Sequence, residues 1–194
     1  ELHDEIQQEL ISKISPEELI TIISHLELDE IVDILQVLPE QKTENILSAI
    51  SKRDRLRIKE VLEYPENSAG GLMNTDIISV RPKHSLEVVM RYLRAQRELP
   101  KNTDQIFVVS RENKYLGSLP ISSILVSDPS LNVRELMETE IKPLEATLDD
   151  KNVSRLFEQN DWVSAPVIDD KSRLIGRITI DDVVDVIMED ADQN

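Results

Sequence analysis

The first 62 residues are built from a 12-residue repeat. In register, the five units are HDEIQQELISKI, SPEELITIISHL, ELDEIVDILQVL, PEQKTENILSAI and SKRDRLRIKEVL. The eighth and twelfth positions are apolar in every unit, and the ninth is apolar in all but the last, where it is Lys59. Because positions i, i+1 and i+4 share one helical face, each unit predicts a short amphipathic helix.

Prolines separate these helices from one another. Ser15 stands before Pro16, Glu17 and Glu18, so a capping serine is followed by a first-turn proline and by acids at the helix N-terminus. Pro39 opens another unit. An interior proline costs about 3 kcal/mol, which argues against one long helix. Helices of about two turns are unstable alone, so we predict that they stack into an α superhelix.

A second, longer repeat covers residues 72–184. Leu72-Met73 matches Leu136-Met137, and segment 107–125 aligns with 166–184 after a loop that is five residues longer in the first copy. Each copy predicts a β-α-β-β-α order, with an apolar-turn-Gly-apolar hairpin. The fold class is therefore an α superhelix followed by tandem α/β domains. In the second copy we predict strands at 141–147, 165–168 and 174–180 and helices at 150–159 and 181–188.

Composition narrows the possible functions. The net charge is −16, with −9 on residues 1–66, +2 on 67–130 and −9 on 131–194. Such a surface repels phosphate backbones and attracts cations, so we expect no nucleic-acid partner. No apolar run reaches the length of a membrane helix, so we expect a soluble chain. There is no cysteine, and the three histidines and four glycines form no zinc, triad or P-loop pattern, so we expect no enzyme.

The tandem β-α-β-β-α order resembles a pair of CBS domains, with "LM" at each start and "ITIDDVVDVI" in the last helix. The junction YPENSAGGLM, between the helical repeats and the first copy, resembles the MgtE family of magnesium channels. The resemblance divides the chain into an N-terminal helical superhelix (1–66), a first CBS domain (67–130) and a second CBS domain (131–194).

The resemblance implies a specific function. MgtE proteins are dimeric channels whose cytoplasmic N domain and CBS pair bind Mg²⁺ through acidic residues and close the pore when the ion is abundant. We therefore expect the Mg²⁺-sensing region of such a channel, on the cytoplasmic side of the membrane. It would bind Mg²⁺ at acidic interdomain surfaces, form a homodimer through its CBS domains, and be linked to a membrane pore domain absent from this chain.

Mg²⁺ prefers oxygen ligands and often needs only one or two carboxylates per site. Asp182 and Asp185 lie three residues apart on one face of the last predicted helix, although acids there also suit a helix N-terminus. Asp29 and Asp33 form an i, i+4 pair whose repulsion a cation would relieve. Family positions add further candidates, whereas Lys151 replaces a family acid. The predicted metal ligands are Asp29, Asp33, Asp149, Asp161, Asp182, Asp185 and Asp190.

CBS pairs often bind adenine nucleotides through a Thr-x-x-Asp stretch, which Thr179 to Asp182 matches in the second copy. In MgtE relatives the ATP site draws on the first-copy stretch, where this chain has Pro120 and Ser123 instead. Trp162 could stack on adenine, or simply pack in the protein interior. ATP is thus a possible ligand, and we expect it to bind weakly or not at all.

Two alternatives stay open at this point. One is a CBS-pair adenine-nucleotide sensor that is indifferent to Mg²⁺, and the other is a helical-repeat adaptor whose CBS pair only dimerises. Thermal stability measured against MgCl2, ATP and AMP separately distinguishes these alternatives from the magnesium sensor.

Overall fold

The chain divides into two compact units, residues 1–66 and residues 67–194. The computed structural model describes residues 13–23, 25–26 and 28–192. No helix in these ranges is both long and apolar enough to cross a membrane.

The first unit consists of short helices that follow the 12-residue repeat, as predicted. Helices α1 and α3 pack together, as do α2 and α4, so helices two units apart stack. Most of the first repeat unit lies outside the described residues. The helices are α1 (Pro16–Ile23), α2 (Leu28–Gln36), α3 (Glu40–Ala49) and α4 (Lys52–Leu62).

A capping box starts α1. The Glu18 amide donates to Ser15 Oγ at 3.3 Å, and the Ser15 amide donates to Glu18 Oε2 at 3.1 Å. These reciprocal bonds satisfy backbone donors that a helix N-terminus otherwise leaves unpaired. The predicted boundary before Pro16 is confirmed.

The buried face of these helices is not the predicted one throughout. Ile23 and Leu35, at the ninth repeat position, are buried, but Ile22 at the eighth is 41% exposed. Instead Leu19, four residues before Ile23, is buried on the same helical face. The eighth position becomes buried only in the later helices, at Ile46 for example.

The second unit holds two similar halves, each with a three-stranded sheet. In each sheet the first pair of strands is parallel and the second pair is antiparallel, in the order β1-β2-β3 and β4-β5-β6. The first half contains α5 (Ala69–Leu72), β1 (Ser79–Val80), α6 (Leu86–Ala95), β2 (Gln105–Val109), β3 (Tyr115–Pro120) and α7 (Ile121–Val126). The second half contains α8 (Val133–Leu136), β4 (Leu144–Glu145), α9 (Asp150–Asn160), β5 (Ser164–Ile168), β6 (Leu174–Thr179) and α10 (Ile180–Asp192).

Two details differ from the sequence prediction. The strand predicted at 141–147 is only Leu144–Glu145, paired with β5 at Val167 and Ile168. Pro143 precedes it and has no amide proton to extend the ladder. In addition, each half begins with a one-turn helix, α5 or α8, which the β-α-β-β-α pattern omitted.

A pseudo-two-fold relation joins the halves through reciprocal hydrogen bonds. Asn74 exchanges two backbone bonds of 2.8 Å with Arg177 on β6, and Glu138 exchanges bonds of 2.9 and 2.7 Å with Ser118 on β3. The entry segment of each half therefore extends the sheet of the other half.

Glycines make this close approach possible. A Cβ atom on Gly117 would lie 2.4 Å from the Glu138 carbonyl oxygen, and one on Gly176 would lie 2.7 Å from Met73 Sδ. The two glycines occupy equivalent hairpin positions, so both junctions depend on the missing side chain.

The hairpin turns interlock as well. The Tyr115 amide donates to the Ser172 carbonyl at 3.0 Å, and the Leu174 amide donates to the Asn113 carbonyl at 2.9 Å. Phe107, Val109 and Leu174 form a small buried cluster at this junction. The halves thus share hydrogen bonds and core, and they form a single unit.

Candidate regulatory ion and nucleotide sites

The start of α10 gathers the most concentrated polar arrangement among the predicted site residues. The Thr179 hydroxyl hydrogen-bonds to the carboxylate of Asp181 and lies 3.2 Å from Asp182 Oδ2. Asn102, from the long loop of the first half, donates to Asp181 Oδ1 at 3.0 Å. We call Thr179, Asp181, Asp182 and Asn102 the Thr179 site.

Two carboxylates therefore compete for the proton of one hydroxyl group. Thr179 is 6% exposed, whereas Asp181 is exposed and Asp182 is partly exposed. The helix N-terminus favours these negative charges, but their mutual repulsion remains. Thr179, Asp181 and Asp182 offer oxygen atoms as ligands, which suits a hard cation such as Mg²⁺.

Arg177 lies on β6, two residues before Thr179, and is 6% exposed. Its guanidinium donates to the carbonyl of Lys101, and at 3.3 Å each to the carbonyls of Asn102 and Asp76. A charged donor with several carbonyl acceptors makes strong hydrogen bonds in a buried setting. Arg177 therefore fixes the loop that brings Asn102 to the Thr179 site.

Asp149 lies at the other end of the second half's helix pair, as the N-cap of α9. Its Oδ1 accepts from the Asn152 amide at 3.0 Å, and its other oxygen accepts from the Asn152 side chain. These bonds lower the pKa of the Asp149 carboxyl. The carboxylate keeps lone pairs for a further ligand, so capping and metal binding are compatible.

Asp161 follows the C-terminal end of α9 in the left-handed conformation, with φ 52°. Twelve residues of helical rise place it about 18 Å from Asp149, so the two cannot share an ion. Trp162 next to it is half-buried, and its ring meets Phe157 edge to face at a centroid distance of 5.6 Å. This contact supports the packing role of Trp162.

The remaining metal candidates are less well placed by the structure. Asp185 is exposed, one turn beyond Asp182 on α10. The side chains of Asp29, Asp33 and Asp190 lie outside the described part of the structure. Among the described residues, no three His, Asp or Glu side chains are grouped to hold a metal ion.

Sequence reasoning missed Asn102 and Arg177. Asn102 has the same φ of 52° as Asp161, and both residues precede equivalent strands at an offset of 59. The alignment starting at Phe107 stopped five residues short of this match. The longer loop of the first copy, which contains Asn102, was visible in the sequence. Nothing in the sequence indicated that Arg177 would bind carbonyls of that loop.

The comparisons with known proteins agree with this architecture. The family model "MgtE intracellular N domain" matches residues 1–67, and the CBS domain model matches residues 69–128 and 133–189. The magnesium transporter MgtE of Thermus thermophilus is 30% identical over 86% of this chain and 38% of that protein. MgtE of Bacillus subtilis is 23% identical over 100% of this chain and 43% of that protein. The chain thus spans about two fifths of the length of these relatives.

Solved structures of magnesium channels and transporters also resemble this chain. The crystal structure of the cytosolic domain of the Mg²⁺ channel MgtE in complex with ATP is 30% identical, with a TM-score of 0.87 over 94% of this chain and 75% of that chain. The CBS pair domain of a putative Mg²⁺ transporter from Shewanella oneidensis is 25% identical, with a TM-score of 0.69 over 93% of this chain and 98% of that chain.

The duplicated sheets with exchanged entry segments define a tandem CBS module, preceded by a superhelix of short helices. Proteins of this class are regulatory. The chain belongs to the MgtE family of magnesium transporters and corresponds to their cytosolic portion, the N domain with its CBS pair.

Proposed function

We propose that this chain is the magnesium-sensing regulatory region of an MgtE-type channel, and that it has no catalytic activity. The Thr179 site carries the proposal, because two carboxylates there surround one hydroxyl group. Mg²⁺ bound to Asp182, with Asp185 one turn away, would reduce this repulsion. Asp149 and Asp161 would serve separate ions at the two ends of α9.

The negative charge of the chain drives the proposed response to Mg²⁺. Residues 1–66 and 131–194 each carry −9, and self-repulsion of such blocks opposes compaction. Mg²⁺ that bridges carboxylates at acidic surfaces favours a compact state, and a ligand that binds one state better shifts the population toward it. In the whole transporter, compaction closes the pore, so that abundant Mg²⁺ stops its own entry.

The test is small-angle scattering and thermal unfolding in MgCl2 and in KCl at matched ionic strength. We expect MgCl2 to reduce the radius of gyration and raise Tm, and KCl to do much less because it screens charge without bridging. Asp182→Asn with Asp185→Asn should blunt the MgCl2 response.

A matched control changes the same charge elsewhere, with Glu158→Gln and Asp170→Asn at exposed positions. Equal responses to both salts, unchanged by Asp182→Asn with Asp185→Asn, would leave only general charge screening.

A homodimer through the CBS domains is part of the proposal. Leu125 on α7 and Val184 on α10, at equivalent positions of the two halves, are 66% and 43% exposed, and Met188 on α10 is 62% exposed. Exposed apolar helix faces of this kind favour a protein partner, and two-fold homodimers are the commonest arrangement.

Light scattering should give twice the monomer mass, at least with Mg²⁺. Met188→Asp should weaken the dimer, whereas Leu116→Asp, at an exposed apolar position on β3, should not. A strict monomer at high concentration with Mg²⁺ contradicts the arrangement.

ATP is a second candidate ligand, because the 30% identical MgtE cytosolic domain was crystallised in complex with ATP. Pro120 and Ser123 occupy the first-copy positions where the CBS nucleotide stretch has a hydroxyl and a carboxylate, so we propose weak binding. Calorimetry with ATP and AMP measures it directly.

A further inference from the structure

The Thr179 site is already engaged by the protein's own groups. The resemblance to CBS pairs implies that the stretch from Thr179 to Asp182 would contact the phosphate and ribose of a nucleotide. Here the Thr179 hydroxyl bonds to Asp181, and Asn102 donates to the same carboxylate at 3.0 Å. A ribose or phosphate group entering the site would have to displace the Asn102 side chain.

Arg177 holds Asn102 in that position. Its guanidinium binds the carbonyls of Lys101 and Asn102, on the loop between α6 and β2, and the carbonyl of Asp76. At 6% exposure, the guanidinium is directed at loop carbonyls in the protein interior rather than at solvent. Displacing the loop therefore means breaking charge-assisted hydrogen bonds, which are about twice as strong as neutral ones.

The other half of the pair lacks this clamp. The residue equivalent to Arg177 is Ser118, which pairs with Glu138 as Arg177 pairs with Asn74. A serine is too short to reach a neighbouring loop, and the loop there, residues 161–163, is also shorter. The closure by Arg177 and Asn102 is therefore a property of the second-half site alone.

We propose that Arg177 and Asn102 close the Thr179 site with loop 97–104, and that Arg177 thereby determines which half of the CBS pair is open to an adenine nucleotide. The loop excludes AMP and ATP from the Thr179 site and leaves its outward carboxylates to cations. The inference rests on the second candidate ligand above, and not on the magnesium response.

The test combines Arg177→Ser, which installs the residue of the equivalent position, with Asn102→Gly, which tolerates the left-handed backbone at φ 52°. Calorimetry of the full 194-residue chain with AMP, without Mg²⁺, should show affinity increased by about tenfold or more in the double variant. Adding Thr179→Ala should remove that increase. In the wild-type chain, Thr179→Ala should leave AMP and ATP binding unchanged.

A second measurement needs no ligand. Trypsin cleaves after Arg97 and Lys101, so opening of the loop should speed cleavage there by about tenfold. The control is Asn113→Gly, the same change at another left-handed asparagine, which should leave cleavage at 97 and 101 unaltered. If Arg177→Ser fails to fold, Asn102→Gly alone carries both measurements, with a smaller gain in the same direction.

The outcomes separate cleanly. Faster cleavage with no gain in AMP binding overturns the role of Arg177 in specificity, and so does wild-type nucleotide binding that depends on Thr179. Unchanged cleavage in a folded double variant overturns the clamp itself. The magnesium proposal is tested separately, by the MgCl2 response of Asp182→Asn with Asp185→Asn.

Discussion

Replacing Gly117 with alanine should destabilise the CBS pair more than the same change at the equivalent Gly176. The added Cβ would lie 2.4 Å from the Glu138 carbonyl oxygen, and this backbone atom cannot rotate away. An ordinary carbon–oxygen contact is about 3.3 Å, so the junction must open by about 0.9 Å. That shift strains the paired bonds between Ser118 and Glu138, which measure 2.9 and 2.7 Å.

Overpacking of this kind costs about 1–3 kcal/mol, and weakening two hydrogen bonds adds about 0.5–1.5 kcal/mol each. No glycine has a positive φ among the described residues, so alanine itself is conformationally allowed and recovers about 0.4–1 kcal/mol through the unfolded chain. The net loss is about 3 kcal/mol. For a unit of this size it lowers Tm by roughly 10 °C.

Gly176→Ala is the internal control. Its nearest atoms are Met73 Sδ at 2.7 Å and Cγ at 2.9 Å, both in a flexible thioether side chain, with the Asn74 carbonyl at 3.0 Å. Methionine adapts readily, so this variant should lose only about 1 kcal/mol. Urea denaturation followed by circular dichroism measures both variants. A loss for Gly117→Ala no larger than that for Gly176→Ala would falsify the steric reasoning.

Ser15→Ala removes the capping box and should lower the unfolding free energy of the first unit by about 1 kcal/mol in urea melts, and an unchanged midpoint would count against the cap. Phe157→Ala should cost about 3–5 kcal/mol and quench or shift Trp162 fluorescence, and retention of both the wild-type spectrum and stability would contradict their contact. Burial raises the pKa of Tyr115 to about 12. The contribution of the neutral phenol to the free energy of unfolding is therefore full below about pH 10 and is lost as pH rises toward 12. In alkaline melts, Tyr115→Phe should make the stability less dependent on pH in this window. The Asn152 hydrogen bonds lower the pKa of Asp149. The contribution of this carboxylate to the free energy of unfolding is therefore full above about pH 3.9 and is lost as pH falls through the lowered pKa of the folded protein. An Asp149→Asn variant whose stability depends on acidic pH as in the wild type would contradict this.

The architecture followed from periodicity because both repeats carry strong local signals. The prolines and apolar positions fixed the short helices, and Ser15 with Glu18 marked a cap that the structure confirms. Buried positions were harder to predict. Ile22 and Leu19 are both apolar, and only the packing of neighbouring helices decides that Leu19 is the buried one.

The candidate sites were less accessible from sequence, for a physical reason. Thr179, Asp181 and Asp182 are close in the chain, so a local motif indicates them. Asn102 and Arg177 act on that motif from 79 residues and two residues away respectively, and their effect depends on a loop conformation. Long-range hydrogen bonds of this kind leave no periodic signal. The metal roles of the aspartates remain predictions.

The exchanged entry segments also bear on how such a duplicated chain can evolve. Strands β3 and β6 each lie at the edge of a three-stranded sheet, and the neighbouring half covers that edge near Ser118 or Arg177. A half inherited alone would present an uncovered edge, which invites pairing with other chains. We therefore expect the two copies to be retained together. Within such a pair, the polar side chains of one copy can change, while its backbone must still cover the sheet edge of the other copy.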